Sequence, residues 1–530
     1  MNKSSRAGWP VPHPVVVENA LLGSVRVAVD EAGAGQWEAL DRLVDVLLDI
    51  DAVGEEALAR SAVALVAAVP GLVVRLDEHA RSTPWRGRHQ RPARPRVAAW
   101  LSGMASSPVA TVLASMHRDG RIRERAVTAM VARPYPEAMP FLVLRTADWV
   151  APVRDRARAG LAVLLADDPA AHLPVVLPTA LRLAARLRAG FAVTQVRAAI
   201  LAVSEPVWRR LLGSADRRAR PVVFDLVLSQ GWLRMPDLVA FAESDPELRI
   251  RARAVEAACR DAVWTRRHDV LRRLARSARA EVRVVALTGL VRVGQDADVA
   301  AYLDDDAPMV RAVARDAARR LGIDVREHYR AAVATGEPRP GSIAGLAETS
   351  SEKDAHLLWR FFAHQRAHLR AQAVRGLRLL DAVVAEEELV ALLRDPSPAV
   401  VREVTVALRP VAAALPPDLP WDLLRDARVE LRRAGYRLLR GRGVDIELRA
   451  ALILAVDPNP RLAERGRADA TRIARDVARA AWRAAPRPEL TVTATEHAEL
   501  VTLAARAAVA LGEETAQQLA EWLANSHPGE

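Results

Sequence analysis

The residues best suited to chemistry in this chain fall in four places. His356, His364 and His368 lie close together in HLLWRFFAHQRAHL, and the last pair has the i, i+4 spacing that sets two imidazoles on one helical face. No acid separates them, Gln365 stands where a metalloprotease helix needs glutamate, and His364 falls in a turn between helices. Those features argue against a metal site. Asp304, Asp305 and Asp306 offer carboxylates to a divalent cation, yet they occupy a turn where acids cap the following helix. The segment 81–96, RSTPWRGRHQRPARPR, holds Arg81, Arg86, Arg88, Arg91, Arg94 and Arg96 with Trp85 and no acid. Guanidinium groups beside an indole suit phosphate contact and base stacking, while the same Pro/Gly/Arg composition also makes a plain connector. Asp148-Trp149, Trp208, Trp232 and Trp264 stand out among few aromatics, and such indoles fill core gaps or anchor helix ends.

No glycine-rich phosphate loop, nucleophile elbow or dinucleotide fingerprint occurs along the chain. Cys259 is the single cysteine, so a disulfide within the chain is excluded and a cysteine-based zinc site is disfavoured. No catalytic residue, metal or cofactor is therefore expected.

These residues must be carried by an extended scaffold. At 530 residues the chain far exceeds one ordinary core, so it is several domains or an array that adds core in one dimension. Apolar residues make up 51% and aromatics only 4%, a balance suited to small-residue helix packing. The net charge of +11 would ordinarily suggest an anionic partner. Only Lys3 and Lys353 are lysines, so 76 minus 2 leaves 74 arginines, a bias of the kind a GC-rich genome imposes, and 65 acids are interleaved with them. Alternating charge of this sort reads first as a salt-bridged, solvated helix surface. The first 17 residues lack the apolar run of a secretory signal, and the stretch from Ala62 to Val74 is too short to span a bilayer and is broken by Pro70-Gly71. A cytoplasmic protein without membrane insertion is the expectation.

The clearest repeat runs from Glu388 to Val411. Leu389, Leu392 and Leu393 share one helical face; Val401, Val404, Leu408 and Val411 recur at i, i+3, i+7 and i+10. Between the two stripes, Asp395-Pro396-Ser397-Pro398 stops one helix and starts the next, with Ser397 as N-cap and Pro398 in the first turn. After each such turn comes an aliphatic residue and then arginine. Arg123 to Arg154 is 31 residues, Arg251 to Arg283 is 32, Arg283 to Arg311 is 28, Arg370 to Arg402 is 32 and Arg402 to Arg432 is 30. Arg311 to Arg370 is 59, about two units. Two amphipathic helices per period near thirty predict an all-α solenoid. Val196-Arg197 and Ala219-Arg220 are the candidates for units hidden between Arg154 and Arg251.

The leucine-rich first helix, Asp-Pro turn and aliphatic-Arg start of the second helix resemble the HEAT repeat family, in its short bacterial form, over roughly residues 100–480. The resemblance implies an α-solenoid of degenerate HEAT-type helix pairs and a ladder between turn acids and arginines of neighbouring units, here involving Asp395 and Arg402, Asp245 and Arg251, and Asp426 and Arg432. Ser277 replaces the turn acid before Arg283, and Leu462-Ala463 replaces the aliphatic-Arg pair, so the ladder should break at both places. DNA alkylation-repair glycosylases are also built from HEAT-like repeats, and similarity to them would give Asp148 and the tryptophans the handling of a damaged base; the chain is much longer than those enzymes and their motif does not align along it. Short HEAT units occur in bilin lyases as well, but no cysteine or histidine pattern here singles out that activity.

The reading divides the chain into an N-terminal tail (1–17), a helical cap (18–80), an Arg/Pro-rich linker (81–96), repeats (97–335), a loop or hinge at GEPRPGS in a degraded repeat (336–352), further repeats (353–485) and a C-terminal cap (486–530). The function expected from a repeat array without catalytic groups is a scaffold that binds a protein partner on the concave solenoid face. Nucleic acid, contacted by the arginine-rich surface and the 81–96 segment, is the alternative partner.

Overall fold

A computed structural model describes residues 14–82, 107–482 and 490–526, and helices with short 3₁₀ turns account for all regular structure among them. The fold is an all-α solenoid of HEAT-like helix pairs. Two compact units divide at Ala254/Val255, inside the helix Leu248–Trp264.

The first unit opens with four helices, Pro14–Gly33, Glu38–Val53, Glu56–Ala67 and Pro70–Ser82. Glu56–Ala67 and Pro70–Arg81, apolar enough together to pass for a span, meet at 104° because Pro70 starts a new helix, and no single described helix is long and apolar enough to cross a membrane. Paired helices follow, and the second members Gly120–Ala132, Ala151–Asp167, Gly190–Ala202 and Ala219–Ser229 pack side by side in a row. Gly190–Ala202 and Ala219–Ser229 carry Arg197 and Arg220, the two proposed hidden units.

In the second unit a row of second helices runs Ala280–Arg292, Pro308–Arg320, Pro340–Thr349, Ala367–Leu379, Pro398–Leu408 and Val429–Leu439, each packed on the next. Pro340–Thr349 is a finding against expectation. The stretch 336–352 reads as a loop from its prolines and glycines, but Pro340 stands in the first helical turn, where it needs no N–H, and Gly341 and Gly345 let the helix approach closely. A Cβ on Gly341 would lie 2.3 Å from the Asp304 carbonyl oxygen, and one on Gly345 2.2 Å from the Tyr329 ring. With Val325–Ala334 it completes the repeat missing between Arg311 and Arg370. Pro460–Trp482, Ala494–Leu511 and Glu513–Ala524 close the described chain, the second of them started by a capping box between Thr493 and Glu496.

Core side chains come from the inner stripe of every helix. Leu303, Tyr329, Ile343, Leu358, Phe361 and Leu369 form one continuous cluster; Leu393, Val401, Val404, Leu408, Leu431 and Leu438 form the next. Burying each such side chain contributes about 1.5–3 kcal/mol, so every repeat is held by its neighbours' apolar faces.

Candidate functional site

Arg432, near the start of Val429–Leu439, shows how the turns are joined. Its Nη1 donates to the carbonyl oxygens of Asp426 (3.1 Å) and Ala427 (2.7 Å), six and five residues back in its own turn. Its Nε and Nη2 donate to the two carboxylate oxygens of Asp457, in the next turn, at 2.7 and 3.0 Å. Asp457 also accepts the backbone N–H of Asn459 at 2.7 Å. One planar guanidinium therefore closes one turn and clamps the following one, a geometry that lysine's single ammonium cannot reproduce.

The same construction recurs along both units. Arg370 donates to the carbonyls of His364 and Gln365 and to both carboxylate oxygens of Asp395 (2.7 and 2.9 Å). Arg283 joins Ser277 and Ala278 to Asp305, and Arg123 joins His117 and Arg118 to Asp148. Arg220 reaches Asp245 at 2.6 Å and Glu247 at 2.8 Å. In the following repeat Gly336 stands where the other turns place the acid, and Arg311 takes Glu348 on the helix Pro340–Thr349 and shares it with Arg315. Burial raises the carboxyl pKa of Asp395 and Asp457, but the arginine bond and a backbone N–H outweigh it and hold both below the ordinary carboxylate range.

This arrangement differs from the partners that the family resemblance implies. Arg251 bonds the main-chain oxygens of Asp245 and Pro246, while the Asp245 carboxylate belongs to Arg220 of the preceding repeat. Arg432 likewise takes the main-chain oxygen of Asp426, whose carboxylate accepts the N–H of Arg428. Asp395 and Arg402 are not brought together. Arg402 follows its turn acid by seven residues rather than six, and one residue rotates a helical side chain by about 100°. Val401 fills the ladder position in the core, and Arg402, 63% exposed, meets Glu403 at 3.0 Å. The carbonyls of Arg394 and Asp395 are served from the next repeat by Arg428. At Ser277 the hydroxyl accepts the N–H of Arg279, replacing the acid's turn bond but offering no carboxylate; at Ala463 the ladder position holds a buried methyl group.

The most buried charges lie in the first unit. Arg123, Arg145, Asp77 and Asp148 are buried, and Arg81 is part-exposed beside them. Arg145 bonds Asp77 and, at 3.2 Å, Asp148; Arg81 bonds the same two acids at 3.2 and 3.4 Å. Burial lowers the Arg145 pKa against the opposing pull of Asp77, and its Nε has no partner. Arg81 thus belongs to the helix Pro70–Ser82, while Trp85, Arg86, Arg88, Arg91, Arg94 and Arg96 lie outside the described residues.

That cluster also decides what Asp148 can do. Its carboxylate is committed to arginines, and Trp149, 65% exposed, lies under the Arg123 guanidinium at 5.8 Å. Trp208 stacks on Trp232 at 6.1 Å, and Trp264 stands 88% exposed at the end of its helix. The histidines serve turns: His364 Nδ1 accepts the N–H of Arg366, and His356 Nδ1 meets the Lys353 carbonyl. Asp305 caps Ala307 and binds Arg283, while Asp304 meets His328 and Ser342. Burial pushes the Cys259 thiol up to about 12, away from nucleophilic use.

Outside the ladder, the exposed faces of the second helices carry charges that pair from repeat to repeat. Arg249 and Arg253 meet Asp225, and Arg156 meets Glu124. Exposed apolar side chains stand among them, including Met309 at 64%, and Leu379 and Val411 at 44% each.

No family model and no curated protein matches the chain. Among solved structures it is similar to a mutant of Kap121p (11% identity, 87% of this chain and 57% of that chain, TM-score 0.26) and to the karyopherin Kap121p bound to the extreme C-terminus of the protein phosphatase Cdc14p (10%, 87% and 56%, TM-score 0.25). An engineered protein matches at 14% identity over 79% of this chain and 98% of its own, with a TM-score of 0.15. The chain spans just over half the length of the Kap121p chains.

Proposed function

We propose that this chain is a non-enzymatic scaffold that binds a protein partner along the face lined by its second helices. The observation that carries the reading is the commitment of arginines. The guanidinium groups of the ladder are locked to turn carbonyls and acids, and on the exposed helix faces Arg156, Arg249 and Arg253 are matched by Glu124 and Asp225 of the preceding second helix. A surface of matched charge with solvent-facing Met309, Leu379 and Val411 has the composition of a protein interface, whereas phosphate binding rests on guanidinium groups free to displace counterions. Rigid stacking of repeats fixes the spacing of these contact residues, which is what a linear or extended partner requires.

Cross-linking of the purified chain to proteins captured from nuclease-treated lysate tests this. Cross-links concentrated on the second helices support it. Capture that disappears with nuclease, together with tight, steeply salt-dependent binding to labelled DNA that weakens when Arg86, Arg88, Arg91 and Arg94 are changed to alanine, replaces it with the nucleic-acid reading.

A further inference from the structure

On two neighbouring second helices arginines gather without matching acids. Arg402 and Arg409 are two turns apart on Pro398–Leu408 and the 3₁₀ turn that follows it, and Arg433 and Arg437 are one turn apart on Val429–Leu439, the second helix packed against it. With a rise of 1.5 Å per residue and helix axes roughly 10 Å apart, the four guanidinium groups cover a patch about 10 Å on a side. Arg402 has Glu403 beside it, and Glu430, already bonded to Arg428, lies within electrostatic reach of Arg433. Among the described residues no carboxylate partners Arg409 or Arg437. Burial, and then Arg433, Arg409 and Arg402, all push the Arg437 pKa down; every charged group acting on it is another arginine.

Folding gains nothing from gathering like charges, since each pair repels and each guanidinium loses hydration. The ladder does not need them: Arg402 is out of its register, and the Asp395 carbonyl that a ladder arginine would serve is taken by Arg428. The patch is also finite. On the following second helix, Pro460–Trp482, buried Asp469 and exposed Asp476 pair with Arg465, Arg472 and Arg479, and Arg440 also turns to Asp469 at 3.8 Å. On the preceding one the outward line is His368, Gln372, Arg375 and Leu379. Val411, 44% exposed, shares the 3₁₀ turn with Arg409, and Leu379 is equally exposed at the end of the neighbouring helix.

We infer that Arg402, Arg409, Arg433 and Arg437 form the docking point for a short acidic segment of a protein partner, with Leu379 and Val411 receiving an apolar residue of the same segment. An extended peptide advances about 3.3 Å per residue, so three or four residues cross the patch and place alternate carboxylates over it. A sugar–phosphate backbone would leave exposed Leu379 and Val411 without an apolar partner, which a peptide side chain supplies. This inference rests on the scaffold reading and names the chemistry of its partner.

The test is fluorescence anisotropy with the full chain and a short labelled peptide in which glutamate alternates with serine and leucine, beside single-stranded DNA of similar length. Two variants are compared: Arg409→Gln with Arg437→Gln in the patch, and Arg249→Gln with Arg253→Gln, equal in charge removed but drawn from pairs with Asp225. The expected result is peptide binding that falls with salt, weakens at least about tenfold in the patch variant and is unchanged in the other. No peptide binding by the natural chain, equal weakening in both variants, or displacement of the peptide by DNA at lower concentration each overturns the inference. Proteins still captured from lysate by the patch variant would show that the docking point is wrong while the scaffold reading stands.

Discussion

Arg370 holds Asp395, twenty-five residues ahead and in the next turn, by two parallel N–H···O bonds of 2.7 and 2.9 Å, while its third nitrogen holds the two turn carbonyls behind it. Both partners are largely buried, with 13% and 6% of their side chains exposed. Removing either partner strands the other's hydrogen-bonding groups, so Arg370→Ala and Asp395→Ala should each cost about 2–3 kcal/mol in denaturant unfolding. Arg370→Lys should recover less than half, because an ammonium cannot bridge turn and carboxylate together. A double-mutant cycle should give a coupling above about 1 kcal/mol.

Arg402 is the control that the register provides. It stands 63% exposed against Glu403, and Val401 has its place in the core. Arg402→Ala should change stability by less than about 0.5 kcal/mol, whereas Val401→Ala should cost about 1–3 kcal/mol. Equal effects in the same denaturation experiment would place Arg402 in the ladder.

The contrast between these residues marks how far the sequence could be read. The all-α array, the period and the position of the arginines were legible because apolar stripes, Asp-Pro turns and aliphatic-Arg pairs recur at fixed distances. The partner of each arginine was not, because a turn acid six residues before it and another twenty-five residues after it fit the same repeat equally well. The spacing of Arg123 to Asp148, Arg220 to Asp245, Arg370 to Asp395 and Arg432 to Asp457 is the signal that distinguishes them, each pair being twenty-five apart. Pro340–Thr349 was hidden for another reason: its glycines answer to close packing on Asp304 and Tyr329, a tertiary demand that local propensity reads as a loop. The patch around Arg437 was invisible too, since it depends on which helix lies beside which.

In the buried cluster, Asp148 and Asp77 face three arginines, Arg81, Arg123 and Arg145. Asp148→Ala would leave three guanidinium groups around one carboxylate, two of them without access to water. It should cost about 3–5 kcal/mol by calorimetry or denaturant unfolding. Arg145→Met, which removes the surplus positive charge and fills the same space, should cost far less or stabilise the fold.

Acid should act in two stages. Burial lowers the pKa of His117 and of His172, whose Nδ1 is buried without a partner, so both favour the neutral ring when folded. Their contribution is complete above the unfolded value of about 6.5 and is lost as pH falls below it. Asp148, Asp216, Asp395 and Asp457 have lowered pKa values, so their contribution is complete above the unfolded value of about 3.9 and is lost as pH falls through their folded values. Melting temperature should therefore decline gently below about pH 6.5 and steeply below about pH 4. His172→Phe should flatten the first stage and leave the second.

Gly435 tests the packing that keeps the ladder in register. A Cβ built there would lie 2.4 Å from the Pro420 carbonyl oxygen and 2.5 Å from the Leu424 amide nitrogen, main-chain atoms that cannot rotate aside. Its φ is not in the left-handed region, so Gly435→Ala carries a helix-propensity gain of up to about 1 kcal/mol against that overlap. The overlap should win. Pushing Val429–Leu439 away from Leu419–Leu424 shifts the turn between them, and with it the Asp426 and Ala427 carbonyls that Arg432 holds. A net loss of about 1–3 kcal/mol is expected, with faster amide exchange at the turn 425–428. Gly231→Ala, at a φ of +67° with open space around it, supplies the comparison: it should cost about 1 kcal/mol through backbone strain alone and leave exchange near Arg432 unchanged.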